Sequence, residues 1–233
     1  MHTKAILYTL FWTLVLGLTG LLLWNSRGYV SDPETVYFFR ERIDTSPEVW
    51  KSILIPHVMA GMICLLAGPL LFLPLIKNGR VHAGLGILYA LSTLGVMLPT
   101  GIWLSFYAHG GWIGRLGFLI TGSGMFVATI LGLWALRDLQ IVSHRHWMMR
   151  SYALALSALS FRIVYVTGYT LGLSYEVNYP LSTWLSTVIN LVVVEIMIRR
   201  SATLNPHPHG ERPDEKNHIP HTHVSLPVVS VRQ

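Results

Sequence analysis

Six apolar stretches dominate this chain, at residues 5–24, 52–76, 82–107, 113–136, 147–173 and 181–198. Each is long enough to cross the hydrocarbon layer of a bilayer as a helix. Lipid offers backbone N–H and C=O groups no partner, so a spanning segment must be a helix or a strand of a closed barrel, and no alternating strand pattern is present. The expected fold is an all-α polytopic membrane bundle of about six transmembrane helices, with spans two to five as a four-helix core. Composition agrees, with 52% hydrophobic and only 12% charged residues, roughly half the charged fraction of a soluble domain. A net charge of +6 does not point to nucleic acid here. The basic residues sit at the ends of the apolar runs, where anionic lipid head groups are the nearer partner.

The links between spans set the expected topology. The first stretch carries no charge and lacks the short core and small-residue cleavage site of a secretory signal, so it reads as a retained anchor. A polar link at 25–51 holds Asp32, Glu34, Glu41, Asp44 and Glu48. Lys4, Lys77, Arg80, Arg137, Arg145, Arg150, Arg199 and Arg200 then fall on one side of the membrane, against Arg27, Arg40, Arg42, Lys51 and Arg115 on the other. The excess places the first set in the cytoplasm, with both termini inside and the chain in the cell membrane. Residues 201–233 are polar and rich in proline and histidine, and a disordered cytoplasmic tail is expected there. The tail histidines, from His207 to His223, are metal-binding in type but have no fixed geometry. Cys64 is the only cysteine, which excludes an intrachain disulfide and leaves the redox compartment unread.

Chemistry in such a chain must lie in polar groups at membrane depth. His57 falls inside span two, His82 opens span three, His109 closes it, and His144 and His146 stand where span five begins. The positions alternate between the two sides, so His57 and His109 are expected to meet near the outer surface, and His82 and either His144 or His146 near the inner one. Imidazole is an axial ligand for haem iron, and a helical bundle can hold a porphyrin between facing histidines. His57 shares a face with Gly61, Cys64 and Gly68, and His82 shares one with Gly86 and Tyr89. Small residues beside a ligand leave room for a macrocycle, although glycine also serves plain helix packing in membranes. The inner histidines have a bland alternative as well, facing lipid phosphates beside Arg80, Arg145 and Arg150, and His109 has one as a loop residue. His144 and His146 lie two apart and point to nearly opposite faces, so at most one ligates a given iron. Arg162 stands about 22 Å along span five from Trp147, in the layer of His57. An arginine at that depth needs an anion, such as Glu176, a substrate carboxylate or a haem propionate. Glu195 precedes Arg199 by four residues and is expected to pair with it along the helix.

The run His57-x3-Gly61, Gly68-Pro69-Leu70-x-Phe72 and Arg80-x-His82-x3-Gly86-x2-Tyr89 resembles an uncharacterised family of predicted bacterial membrane proteins, a domain of unknown function. The later run Gly110-Gly111, Gly117-Phe118, His144-Arg145-x-Trp147-Met148-x-Arg150-Ser151-Tyr152-Ala153 and Arg162 is similar to the same family's second half. The resemblance implies that His57, His82, His144, Arg150 and Arg162 are the family's positions. His146 stands where that family is associated with arginine, which favours His144. It implies no activity. The alternating histidines are also similar in layout to the six-span, di-haem transmembrane cytochromes b that pass electrons from ascorbate across membranes.

Two classes of function follow. One is a b-type haem electron carrier, with His82 and His144 as the inner axial pair, His57 and His109 serving an outer haem, and Arg162 its propionate. Its partner would be an electron donor or quinone. The other is a cofactor-free transport, binding or assembly protein with a polar site at His57 and Arg162. No nucleophile motif or acid pair stands at membrane depth to name a catalytic residue. The sequence leaves the substrate and a homo-oligomeric state open.

Overall fold

In the computed structural model, residues 2–27, 47–73 and 79–204 are described. They are helical almost throughout: α1 His2–Ser26, α2 Pro47–Leu71, α3 Arg80–Leu91, a π-helical segment Ser92–Met97, α4 Leu98–Phe106, α5 Gly111–Arg137, α6 Ile141–Ala155, α7 Ser157–Thr170 and α8 Tyr175–Leu204. Joined end to end, these give five helices long and apolar enough to cross a membrane: Glu48–Leu71, Arg80–Phe106, Gly111–Arg137, Ile141–Thr170 and Tyr175–Ser201. The apolar segment Trp12–Trp24 of α1 supplies a sixth, shorter candidate. The all-α membrane bundle is therefore the fold.

The span limits differ from the hydropathy reading mainly because helices continue into the interfaces. α2 begins at Pro47, a residue suited to a first turn because it has no N–H to lose there. The fifth span begins at Ile141, so His144 and His146 lie in the first turns of a helix rather than in a basic loop. The last helix runs to Leu204. The tail from 205 onward, the acidic link at 28–46 and the turn at 74–78 lie outside the described residues.

Two interruptions have identifiable causes. Pro99 cannot donate to the carbonyl one turn back, and its ring crowds that turn. The strain is absorbed just upstream by the π segment, where the N–H of Leu98 donates to Thr93 O, five residues back. Between α6 and α7 the ladder breaks at Leu156, and Asn190 of α8 answers from across the seam. Its Nδ2 donates to Ala153 O at 3.1 Å and to Ser157 Oγ at 3.3 Å. A carbonyl released inside a bundle is thus satisfied by a side chain, as a water-free interior requires.

Packing is close wherever a glycine faces a large side chain. The main core gathers Met62, Cys64 and Leu65 of α2, Tyr89 of α3, Met125 of α5 and Tyr152 of α6, with Val15 and Leu22 of α1 closing one side. Gly68 lets the Tyr152 ring lie directly on α2, where Tyr152 Oη donates to Leu65 O at 3.2 Å. Gly168 makes the corresponding room for buried Asn178, whose Nδ2 donates to Tyr165 O at 2.9 Å. The α4–α5 turn is tight because Gly110 and Gly111 adopt φ of 82° and 61°, values that other residues rarely reach.

Candidate functional site

The histidine-bearing helices α3 and α6 both start at the same, arginine-rich end of the bundle, α3 packed mainly on α2 and α6 mainly on α5. They are joined by Tyr89 Oη and Ser151 Oγ, 2.9 Å apart. The direction of this bond follows by elimination. Thr129 donates its hydroxyl proton to Met125 O at 2.8 Å, so its oxygen must accept from Ser151, also at 2.8 Å. Ser151 has then spent its proton, and Tyr89 donates to it. The chain Tyr89→Ser151→Thr129→Met125 O is fully satisfied and almost free of exposure, at 1%, 0% and 0% for the three side chains. Beside it, Cys64 Sγ lies 3.4 Å from Thr93 Oγ1.

His82 precedes Tyr89 by seven residues and His144 precedes Ser151 by seven. Seven residues turn a helix to within about 20° of the same face and shift position by roughly 10 Å. The two histidines therefore lie two turns nearer the basic end than the bonded Tyr89–Ser151 pair, within electrostatic range of each other. His144 Nδ1 lies 2.7 Å from Gly132 O, which can only accept, so Nδ1 carries the proton and Nε2 the lone pair of the neutral ring. His82 Nδ1 is buried and has no partner among the described residues. Where a side chain on Gly86 would stand, one turn along from His82, there is open space. Gly68, by contrast, is filled by the Tyr152 ring and serves packing.

His146 faces a different group. It lies within electrostatic range of Arg145, Arg150 and Glu195. The expected pairing of Glu195 with Arg199 is corrected here, because Glu195 instead takes a two-pronged bond from Arg150, with Nε–Oε1 2.5 Å and Nη2–Oε2 3.1 Å. The planar guanidinium matches the carboxylate on two points and lies over the Trp147 ring at 4.6 Å from its centroid, which a flexible i,i+4 pair cannot equal.

At the other end, His57 Nδ1 is 2.9 Å from Thr100 Oγ1, and Thr100 gives its own proton to Val96 O at 2.6 Å. His57 must then donate from Nδ1, which leaves its Nε2 with the lone pair. Gly101 allows this approach, since a Cβ there would stand 3.2 Å from His57 Cε1. Replacing Thr100 with valine removes the acceptor. Nitrogen NMR of histidine-labelled protein is expected to show His57 in the Nδ1–H form in the parent chain and a mixture of tautomers in Thr100→Val.

His57 and His109 receive different neighbours. His109 sits edge-on to Tyr175 and Tyr179 of α8, with centroids 5.7 and 5.8 Å away. Arg162 lies on an exposed face of α7 and donates from Nη1 to Ala158 O at 2.6 Å. Sequence reasoning did not find the Tyr89–Ser151–Thr129 chain, the buried Asn178 or the half-buried Asn190. The signal was available in the matching seven-residue offsets, His82 to Tyr89 and His144 to Ser151, and in the two asparagines inside an apolar run.

Among the described residues no three histidine, cysteine or acidic side chains converge to hold a metal ion. A pair of imidazoles is all that an iron porphyrin needs from the protein, and the unpartnered His82 nitrogen, the free Nε2 of His144 and the space at Gly86 suit that donor set. No curated protein and no solved structure matches the chain. A family model described as "Predicted membrane protein (DUF2306)" matches residues 54–198, more than half of the chain and with it His57, His82, His109, His144 and His146, and the chain belongs to that family of multi-pass membrane proteins.

Proposed function

We propose that this integral membrane protein is a b-type haem electron carrier whose iron is held by His82 and His144. The observation that carries the reading is the matched placement of the two rings, each two turns below its helix's member of the Tyr89–Ser151 bond. Gly132 O acts as the outer partner that ligating histidines use to fix their tautomer. Haem in that position supplies one-electron chemistry, and a quinone or another membrane-accessible donor is the expected redox partner. His57, with its own fixed tautomer, stands apart as a second polar position at the opposite end.

The test is an absorption spectrum of the detergent-purified full-length protein, expressed with ample haem, before and after dithionite. Sharp reduced α and Soret bands at about one haem per chain are expected, and His82→Ala and His144→Ala should each abolish them. A colourless protein would contradict the proposal. The cofactor-free reading, with His57 and Arg162 as a transport or binding site, would then take its place.

A further inference from the structure

The Tyr89–Ser151–Thr129 chain is more than a satisfied polar cluster in the core. It joins α3, α6 and α5, and two of its members stand at the same seven-residue offset from the two inner histidines. His144 is itself bonded to α5 through Gly132 O. Two fixed points on one helix, at Ser151 and His144, therefore set how α6 sits against α5, and one of them also fixes α3. Between α3 and α6 there is little other direct packing, and dispersion contacts through neighbouring helices do not define a rotation about the helix axis. Hydrogen bonds do, and this chain has only one proton arrangement, ending on a backbone carbonyl.

We infer that Tyr89 and Ser151 are positioning residues that set the separation and rotation of His82 relative to His144. Removing the Ser151 hydroxyl leaves the Tyr89 phenol buried with no acceptor, and α3 must shift or rotate relative to α6 to relieve it. Removing the Tyr89 hydroxyl cuts the only described tie between α3 and this network while leaving Ser151 bonded to Thr129. The inference takes its meaning from the haem reading but stands on geometry that needs no haem.

The experiment measures the placement of α3 relative to α6 directly in the full-length chain. With Cys64 replaced by alanine, His82→Cys and His144→Cys are introduced together and joined by a short bifunctional thiol reagent. The pair should cross-link efficiently, and Tyr89→Phe or Ser151→Ala should each slow cross-linking about fivefold. Ser151→Thr, which keeps a hydroxyl, should restore it. Rates unchanged in both clamp variants would overturn the positioning role, as would failure of the parent pair to cross-link. A protein that takes no haem yet cross-links in this clamp-dependent way sinks the electron-carrier proposal alone. Circular dichroism and detergent gel filtration of each variant separate loss of position from loss of fold.

Discussion

Gly68→Ala is expected to cost about 1–3 kcal/mol of stability, or to prevent recovery of folded protein, although it adds a single methyl group. A Cβ at Gly68 would fall inside the van der Waals envelope of the Tyr152 ring, with even Cζ only 2.8 Å away. The ring has nowhere to move. Trp12 and Phe72 pack at 6.3 and 5.9 Å from its centroid, and its hydroxyl is tied to Leu65 O. Gly86→Ala is the matched control, because its Cβ meets open space and alanine is the better helix former by up to about 1 kcal/mol. Thermal unfolding in detergent, followed by circular dichroism, should show a lowered midpoint for the first and an unchanged or raised one for the second. If Gly86 is room for a ligand, its alanine variant should also hold less haem while remaining folded.

Glu195→Gln should be the next most damaging change, by about 1–2 kcal/mol, between the values for exposed and fully buried ion pairs. Arg150 and Glu195 are only 24% and 37% exposed, and the two bonds between them tie the second half of α6 to α8. Glutamine keeps the shape but leaves the guanidinium beside His146 and Arg145 without its countercharge. The double change Arg150→Met with Glu195→Leu should be less harmful than Glu195→Gln alone, because it removes the stranded charge with its partner. A denaturant series on the parent and these two variants measures this. Equal losses for single and double variants would mean that the pair contributes only packing.

Hydropathy located every span because the physics behind it is one-dimensional: a run of apolar residues long enough to cross the hydrocarbon has few other uses. The ends were less legible. Pro47 falls within the polar link at 25–51, yet proline is well suited to a first helical turn, and α2 begins there. Pro99 was visible, but its consequence, a π segment several residues upstream, depends on how the broken ladder relaxes. Glu195 was assigned to Arg199 by counting along one helix. The observed partner, Arg150, is 45 positions away and reaches it only because α6 and α8 pack together. The glycines divide in the same way. Spacing alone cannot tell Gly68, which a ring fills, from Gly86, which nothing fills.

The candidate site was partly legible for a similar reason. The histidines stood out as polar groups at membrane depth, and alternation along the chain put His82 and His144 at one end. What spacing could not supply was the bond that ties their two helices, or the acceptor that fixes the proton of His144. Those came from Tyr89, Ser151 and Gly132, residues with no chemical signature of their own. His57 and His109 show the converse, since both lie at the expected end but turn to Thr100 and to the α8 tyrosines respectively.

The most direct measurement is electron paramagnetic resonance on the oxidised, haem-loaded protein, comparing the parent chain with His144→Ala and His57→Ala. Ligation by His82 and His144 predicts a low-spin, two-imidazole signal in the parent, its conversion to high spin or its loss in His144→Ala, and no change in His57→Ala. A signal that survives His144→Ala, or that disappears with His57→Ala, would contradict the assignment of the iron to this pair.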